Sequence, residues 1–354
     1  MEYRQLGRSG LRISVLALGT MTFGGQGPFA NVGQTGADEA DRVLARCLEA
    51  GVNLIDTADV YSAGASEEIV GQIVKGRRED LLIATKCRFP TEPGPNGAGS
   101  SRHHITRSLE GSLRRLGTDY VDLYQVHGWD GQTALEETLS TLDSAVRSGK
   151  TRYVGCSNYS AWHLMKAMAT AQRKGFEPFA SHQIYWSLLG RDAEVEVVPA
   201  TLDQGLGILV WSPLSGGLLT GKYRRDVKPS GQARHLTAWP EPPIYDQAKA
   251  HDVVDVVVEV AEGYGVPPAQ VALAWLLRKP AVSSLILGAR NEAQISQLLG
   301  AVNLELGAEE IARLDKVSQS PLPYPLWHQA NTASERLSAA DYVALASGGW
   351  RPDD

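Results

Sequence analysis

The chain has 354 residues and a formal net charge of −6, with 34 Lys and Arg against 40 Asp and Glu. No basic block interrupts this mild acidity, which excludes nucleic acid as a partner. The amino terminus Met1-Glu2-Tyr3-Arg4-Gln5-Leu6-Gly7 lacks the apolar core of a signal peptide, and no stretch supplies the roughly 20 apolar residues of a membrane span. These features predict a soluble, cytoplasmic protein with no membrane partner. Cys47, Cys87 and Cys156 have no metal-ligand spacing and leave an odd thiol, so they read as buried, reduced side chains.

Eight short apolar segments follow in order, at residues 15–18, 53–56, 81–85, 121–125, 153–155, 182–184, 208–210 and 284–287. Between most of them, apolar residues recur at helical spacing. Examples are Val43, Leu44, Cys47 and Leu48 before Gly51, and Leu135, Leu139, Leu142 and Val146 before Gly149. Glycine at these positions can take the left-handed cap that ends a helix. Strands alternating with helices demand parallel pairing and right-handed crossovers, and closure removes the sheet edges. The predicted fold is therefore an α/β protein, a (β/α)8 TIM barrel. A doubly wound sheet would need a G-x-G-x-x-G turn after its first strand, and the glycine-rich stretch 24–36 is too long and irregular for one.

Three regions exceed ordinary loop length: 89–103, 214–245 and the tail from Ser320. The first and last are candidates for shaping a substrate pocket. Pro321-Leu322-Pro323-Tyr324-Pro325 cannot lie inside a helix. No linker separates two folding units, so residues 1–354 read as a single domain, with a core over about 12–318 and an extended tail over 319–354.

Polar residues cluster where these strands end. Asn53-Leu54-Ile55-Asp56 delivers Asp56, with Tyr61 five residues later; the segment 81–85 is followed by Lys86, and Val121-Asp122-Leu123-Tyr124-Gln125-Val126 by His127. A barrel gathers its carboxyl-terminal strand ends at one rim, so the four share a centre. Tyrosine is a weak acid near neutral pH unless a cation stabilises the phenolate, and Lys86 can supply that charge with Asp56 holding the ammonium. His127 can donate to a carbonyl oxygen or pass a proton. Taken singly, each residue has an ordinary packing or surface role, and it is their joint occurrence in strand order that points to carbonyl reduction. None can supply hydride, so a nicotinamide cofactor is required. Past the eighth strand, Gly288-Ala289-Arg290 precedes a helix starting near Asn291, whose N–H groups and dipole favour an anion.

From Leu16-Ala17-Leu18-Gly19-Thr20-Met21 to about Pro325 the sequence resembles the aldo-keto reductase superfamily, notably its bacterial general reductases and the potassium channel β-subunit branch. The resemblance implies a (β/α)8 barrel, NADPH-dependent reduction of a small-molecule carbonyl substrate, and a catalytic tetrad of Asp56, Tyr61, Lys86 and His127 with Tyr61 as general acid. It further implies cofactor contacts from Gly19, Thr20, Met21 and Asp56. Ser157, Asn158 and Gln183 resemble the carboxamide ligands, and Trp211 the aromatic under the nicotinamide. Ser212 and Pro213 follow Trp211 as further cofactor contacts, and Leu214, Ser215, Gly217 and Lys222 belong to a segment resembling the pyrophosphate cover. Gly288, Arg290 and Gln294 match the last motif, where Leu298 stands in place of the usual asparagine. Lys222 and Arg290, with Arg234 as a weaker candidate, favour NADPH over NADH.

Trp129, Phe23 or Met21 is expected to line the substrate pocket. Two other readings fit the same residues: a biosynthetic reductase of a keto-sugar or natural product, and an NADP-binding regulatory or redox-sensing subunit with slow turnover. A metal hydrolase lacks its ligands, because His103, His104 and His127 have no accompanying cluster at zinc spacing. Nothing in the sequence selects an oligomeric state.

Overall fold

The computed structural model describes residues 1–225 and 242–351. Eight parallel strands close into a barrel: β3 (Leu16–Gly19), β4 (Leu54–Asp56), β5 (Leu82–Cys87), β6 (Val121–Val126), β7 (Thr151–Ser157), β8 (Ser181–Tyr185), β9 (Gly207–Trp211) and β10 (Val282–Gly288). Each follows its neighbour in the ring, and β10 pairs with β3 to complete it. All eight predicted segments are therefore strands. The helices Ala37–Glu49 and Leu135–Arg147 end two residues before the expected glycines, Gly51 and Gly149, both at positive φ.

Alternation along each strand decides which side chains enter the barrel. Leu54, Ala84, Leu123 and Leu209 form an inner cluster, whereas Ile55, Ile83, Tyr124 and Val210 belong to the larger layer between strands and helices. Counting two residues onward from Leu54, Ala84 and Leu123 reaches Asp56, Lys86 and Gln125 on the interior side, nearer the carboxyl-terminal rim. An unpaired charge there would cost several kcal/mol, so polar partners must be supplied locally.

The other end of the barrel is stopped by an element the sequence reading did not anticipate. A hairpin of β1 (Tyr3–Gln5) and β2 (Arg12–Ser14) inserts Leu6 and Ile13 into the inner cluster. Each of its strands has three residues, too few for a periodic signal. Arg4 secures the hairpin to the barrel by donating to the carbonyls of Val282 at 2.7 Å and Leu277 at 2.9 Å.

The tail corrects another expectation. None of the described residues after Ser320 lines the cavity; beyond the proline run they form the helices Leu326–Thr332 and Ala339–Ala346, and the second packs on the outer helix Val197–Asp203. Leu326, Ala344 and Leu345 bury their side chains there with Val195 and Leu337 nearby. Burial of apolar surface, at about 25 cal/mol per Å², holds this segment to the flank of the barrel.

Candidate active site

The site is built on the rim. Asp56 ends β4, in register with Gly19 of β3 and Ala84 of β5, and Lys86 lies opposite Gln125 of β6. Tyr61 is carried by a short turn in which Ser62 and Ala63 both hold positive φ, 50° and 56°. Such conformations cost of order 1 kcal/mol for residues with a Cβ. Ser62 Oγ helps hold the turn, donating to the Phe23 carbonyl at 2.8 Å and accepting from Gly25 N at 3.0 Å.

Lys86 is fully buried, and its Nζ donates to Asp56 Oδ1 at 2.5 Å, to the Thr57 carbonyl at 2.8 Å and to Tyr61 Oη at 3.3 Å. All three ammonium donors are thereby used. Burial opposes this charge most strongly, but the Asp56 carboxylate, the Tyr61 phenol and the bonds to both outweigh it and hold Lys86 above the ordinary lysine range. Asp56 is in turn closed off on its other oxygen by Gln183 Nε2 at 2.8 Å. His127 lies beside Tyr61, ring centroids 5.8 Å apart and nearly perpendicular. Burial above all, then the charges of Lys86 and Arg88, pushes His127 well below the usual histidine range and keeps its ring neutral.

Tyr61 and His127 face a cavity of about 600 Å³ that runs across the rim to Gly288, Arg290 and Gln294. Its wall includes Gly19, Thr20, Met21, Asp56, Ser157, Asn158, Gln183, Trp211, Ser212, Pro213, Leu214, Gly217 and Lys222. Nearly every expected site residue is thus brought to one surface. Ser215 stands just behind it, buried and hydrogen-bonded to Tyr185 and Ser187 at 3.0 and 2.7 Å. Lys86 lies behind Tyr61, and Arg234 falls outside the described residues.

Two amides expected to serve a ligand are already engaged by the protein. Asn158 Nδ2 donates to the His127 carbonyl at 3.0 Å and to Ser157 Oγ at 2.9 Å, while its Oδ1 accepts from Trp211 Nε1 at 3.0 Å. Asn158 therefore ties β6, β7 and β9 together and orients the Trp211 indole. Gln183 keeps Oε1 as an acceptor after its bond to Asp56.

The pocket candidates divide. Met21 lines the cavity. Phe23 is instead wholly buried in the core layer, and Trp129 is turned away to stack on His163 at 3.9 Å between ring centroids. Phe29 and Phe89 occupy the wall that those two were expected to form. Phe89 opens the 89–103 loop that was a candidate for shaping the pocket, though the residue itself was not singled out. Phe29 sits in the irregular glycine-rich stretch, where no periodicity marks it.

The described wall also suits a dinucleotide. A carbon added at Gly217 or Gly288 would meet nothing within 4 Å, so bare backbone faces open space at both. Asn291 caps the helix Glu292–Leu299 through a bond from Gln294 N, and Arg290 adjoins that amino terminus. Backbone donors beside a guanidinium favour a phosphate, and Trp211 offers a flat indole for a ring to stack on. Leu298 is buried and apolar, as its place in the helix requires.

Two residues before Tyr61 stands a carboxyl that the sequence reading did not single out. Asp59 is 2% exposed, and neither of its oxygens makes a hydrogen bond of ordinary geometry among the described residues, Ser108 and the Val60 backbone offering only weak ones. Burial, then the nearby Glu67 charge, raises it to about 8. The folded protein consequently holds a proton that the unfolded chain releases near pH 4. Stability contributed by the neutral form is complete below that value, falls as pH rises, and is lost above about 8. The thermal midpoint of Asp59→Asn is expected to gain on wild type by several degrees between pH 5 and pH 9. Parallel pH dependence of the two midpoints would contradict this account.

With barrel, rim cluster and cavity in place, the chain belongs to the aldo/keto reductase family, whose model matches residues 15–319. It is an oxidoreductase of a family that reduces carbonyls and uses nicotinamide cofactors. It is 38% identical over 333 residues to the uncharacterized oxidoreductase YrpG of Bacillus subtilis, covering 91% of this chain and 97% of that one. A probable voltage-gated potassium channel subunit beta of Arabidopsis thaliana is 36% identical over 327 residues, covering 90% and 96%. L-glyceraldehyde 3-phosphate reductase of Escherichia coli is 34% identical over 332 residues, covering 89% and 92%. Among the described residues, no helix is long and apolar enough to cross a membrane.

Proposed function

We propose that the protein is an NADPH-dependent reductase that converts an aldehyde or ketone to an alcohol with Tyr61 as general acid. The observation that carries this reading is the bond from Lys86 Nζ to Tyr61 Oη, made by a lysine whose other two donors are taken by Asp56 and the Thr57 carbonyl. A cation fixed beside a phenol stabilises the phenolate formed when the proton leaves. A nicotinamide, when bound, supplies hydride to the carbonyl carbon. Tyr61 delivers the proton from Oη to the carbonyl oxygen, and Lys86 holds the resulting negative charge on the phenol. His127, kept neutral, donates an N–H to the same oxygen and orients it. Asp56 keeps the ammonium in place, and Gln183 keeps Asp56 in place.

Arg290 and Lys222, both in the cavity wall, support NADPH over NADH because a guanidinium recognises a phosphate by paired, charge-assisted bonds. Steady-state oxidation of NADPH and NADH against a panel of carbonyls tests the reading. Preference for NADPH by tenfold or more in kcat/KM is expected, and Arg290→Ala should erase most of it. Equal use of the two dinucleotides would refute the cofactor assignment, and absence of any carbonyl reduction would refute the reading as a whole.

A further inference from the structure

The two reacting side chains stand in the middle of a row of four rings. Phe29 meets Tyr61 edge-on at 5.5 Å between centroids, Tyr61 meets His127 at 5.8 Å, and His127 meets Phe89 at 4.6 Å. All four line the cavity. Met21 and Val60 pack with Phe29 and extend the apolar wall on that side. A carbonyl oxygen that reaches Tyr61 and His127 together therefore carries its substituents against Phe29 on one side and Phe89 on the other.

Among the described residues, the positive charges near this row of rings lie behind the cavity wall rather than in it. Lys86 is sealed at 0% exposure, and both Asp56 oxygens are engaged, by Lys86 and Gln183. Arg88 packs its guanidinium behind Phe89, 5.1 Å from that ring's centroid, and is not part of the cavity wall; one of its nitrogens donates to the Trp129 carbonyl at 2.9 Å. The cations of the described wall, Lys222 and Arg290, follow β9 and β10, the segments that the proposed function assigns to the dinucleotide. A substituent bearing phosphate or several hydroxyls would lose water beside Phe29 or Phe89 without regaining partners.

From this arrangement we infer that the substrate is an uncharged carbonyl with apolar substituents, aromatic or branched aliphatic, rather than a phosphorylated or polyhydroxylated one. The inference rests on the proposed function and narrows it. Phe29 and Phe89 are the specificity determinants, one for each side of the carbonyl.

The test compares kcat/KM with NADPH for benzaldehyde, 3-methylbutanal, glyceraldehyde and glyceraldehyde 3-phosphate, corrected for the unhydrated aldehyde in each solution. The first two should exceed the last two by about a hundredfold. Phe89→Arg should shift the ratio of glyceraldehyde 3-phosphate to benzaldehyde upward by at least about tenfold, whereas a merely structural loss would lower both alike. A binding measurement stands beside these rates: by titration calorimetry, benzyl alcohol should bind the NADP+ complex more tightly than glycerol 3-phosphate. Comparable rates for the phosphorylated aldehyde, or binding in the reverse order, would overturn the inference and leave the reductase standing. Failure to reduce any of the four with either dinucleotide would overturn the proposed function and this inference with it.

Discussion

Replacing Tyr61 with phenylalanine is expected to lower kcat for carbonyl reduction by about a thousandfold, within the range general acids contribute. The substitution removes one oxygen and keeps the ring that packs against Phe29 and His127 at 5.5 and 5.8 Å. The fold and the cavity wall should therefore persist. Dinucleotide affinity, followed by quenching of tryptophan fluorescence with Trp211 in the wall, should stay within about twofold, since the lost group acts on the transition state. Lys86 keeps two of its three acceptors in this variant. Retention of wild-type kcat within tenfold would remove Tyr61 from the role of acid.

Lys86→Met should act on stability as well as on rate. The change strips a fully buried Asp56 of its ion-pair partner and leaves Gln183 as its remaining side-chain donor. Breaking one half of a buried pair typically costs about 3–5 kcal/mol, because the surviving charge has neither water nor counterion. Urea unfolding at neutral pH should register a loss of that order. The double variant Lys86→Met with Asp56→Asn should recover much of it, since the uncompensated charge is gone, while activity stays low because Tyr61 still lacks its cation. A loss under about 1 kcal/mol in the single variant, or no recovery in the double, would count against the pairing as a stabilising unit.

These two expectations mark how far the residues could be read before the fold was known. The strand ends were legible because closed barrels bury their strands on both faces, so apolar runs ending in Asp56, Lys86 and His127 stand out from their surroundings. What the interior demanded of those residues was not legible. The Thr57 carbonyl as the third acceptor for Lys86, and Gln183 as a donor to Asp56, join segments up to 127 residues apart. Asn158 was read as a ligand group; that its amide also binds the His127 carbonyl and the Trp211 indole was not legible, because those contacts exist only once β6, β7 and β9 stand side by side.

Errors in the pocket wall share one cause. Phe23 and Trp129 adjoin motif residues in sequence, but the turn after β3 sends Phe23 into the core and the aromatic cluster of Tyr159, Trp162 and His163 draws Trp129 aside. Proximity along the chain does not set side-chain direction in irregular backbone. The C-terminal tail failed as a pocket element for a related reason: its apolar residues found a surface on the flank of the barrel, around Val195, and not at the rim.

By itself, the sequence determined the number and order of the barrel strands, the family, and which residues reach the carboxyl-terminal rim, because hydrophobic periodicity and motif spacing are local properties of the chain. Only the tertiary structure decided what those residues touch. It closed the far end of the barrel with the β1–β2 hairpin, left Asp59 buried without a hydrogen bond of ordinary geometry among the described residues, and set Phe29 and Phe89 beside Tyr61 and His127. Such contacts bring together segments far apart in sequence, and their energies depend on burial and distance, which arise when the chain closes on itself.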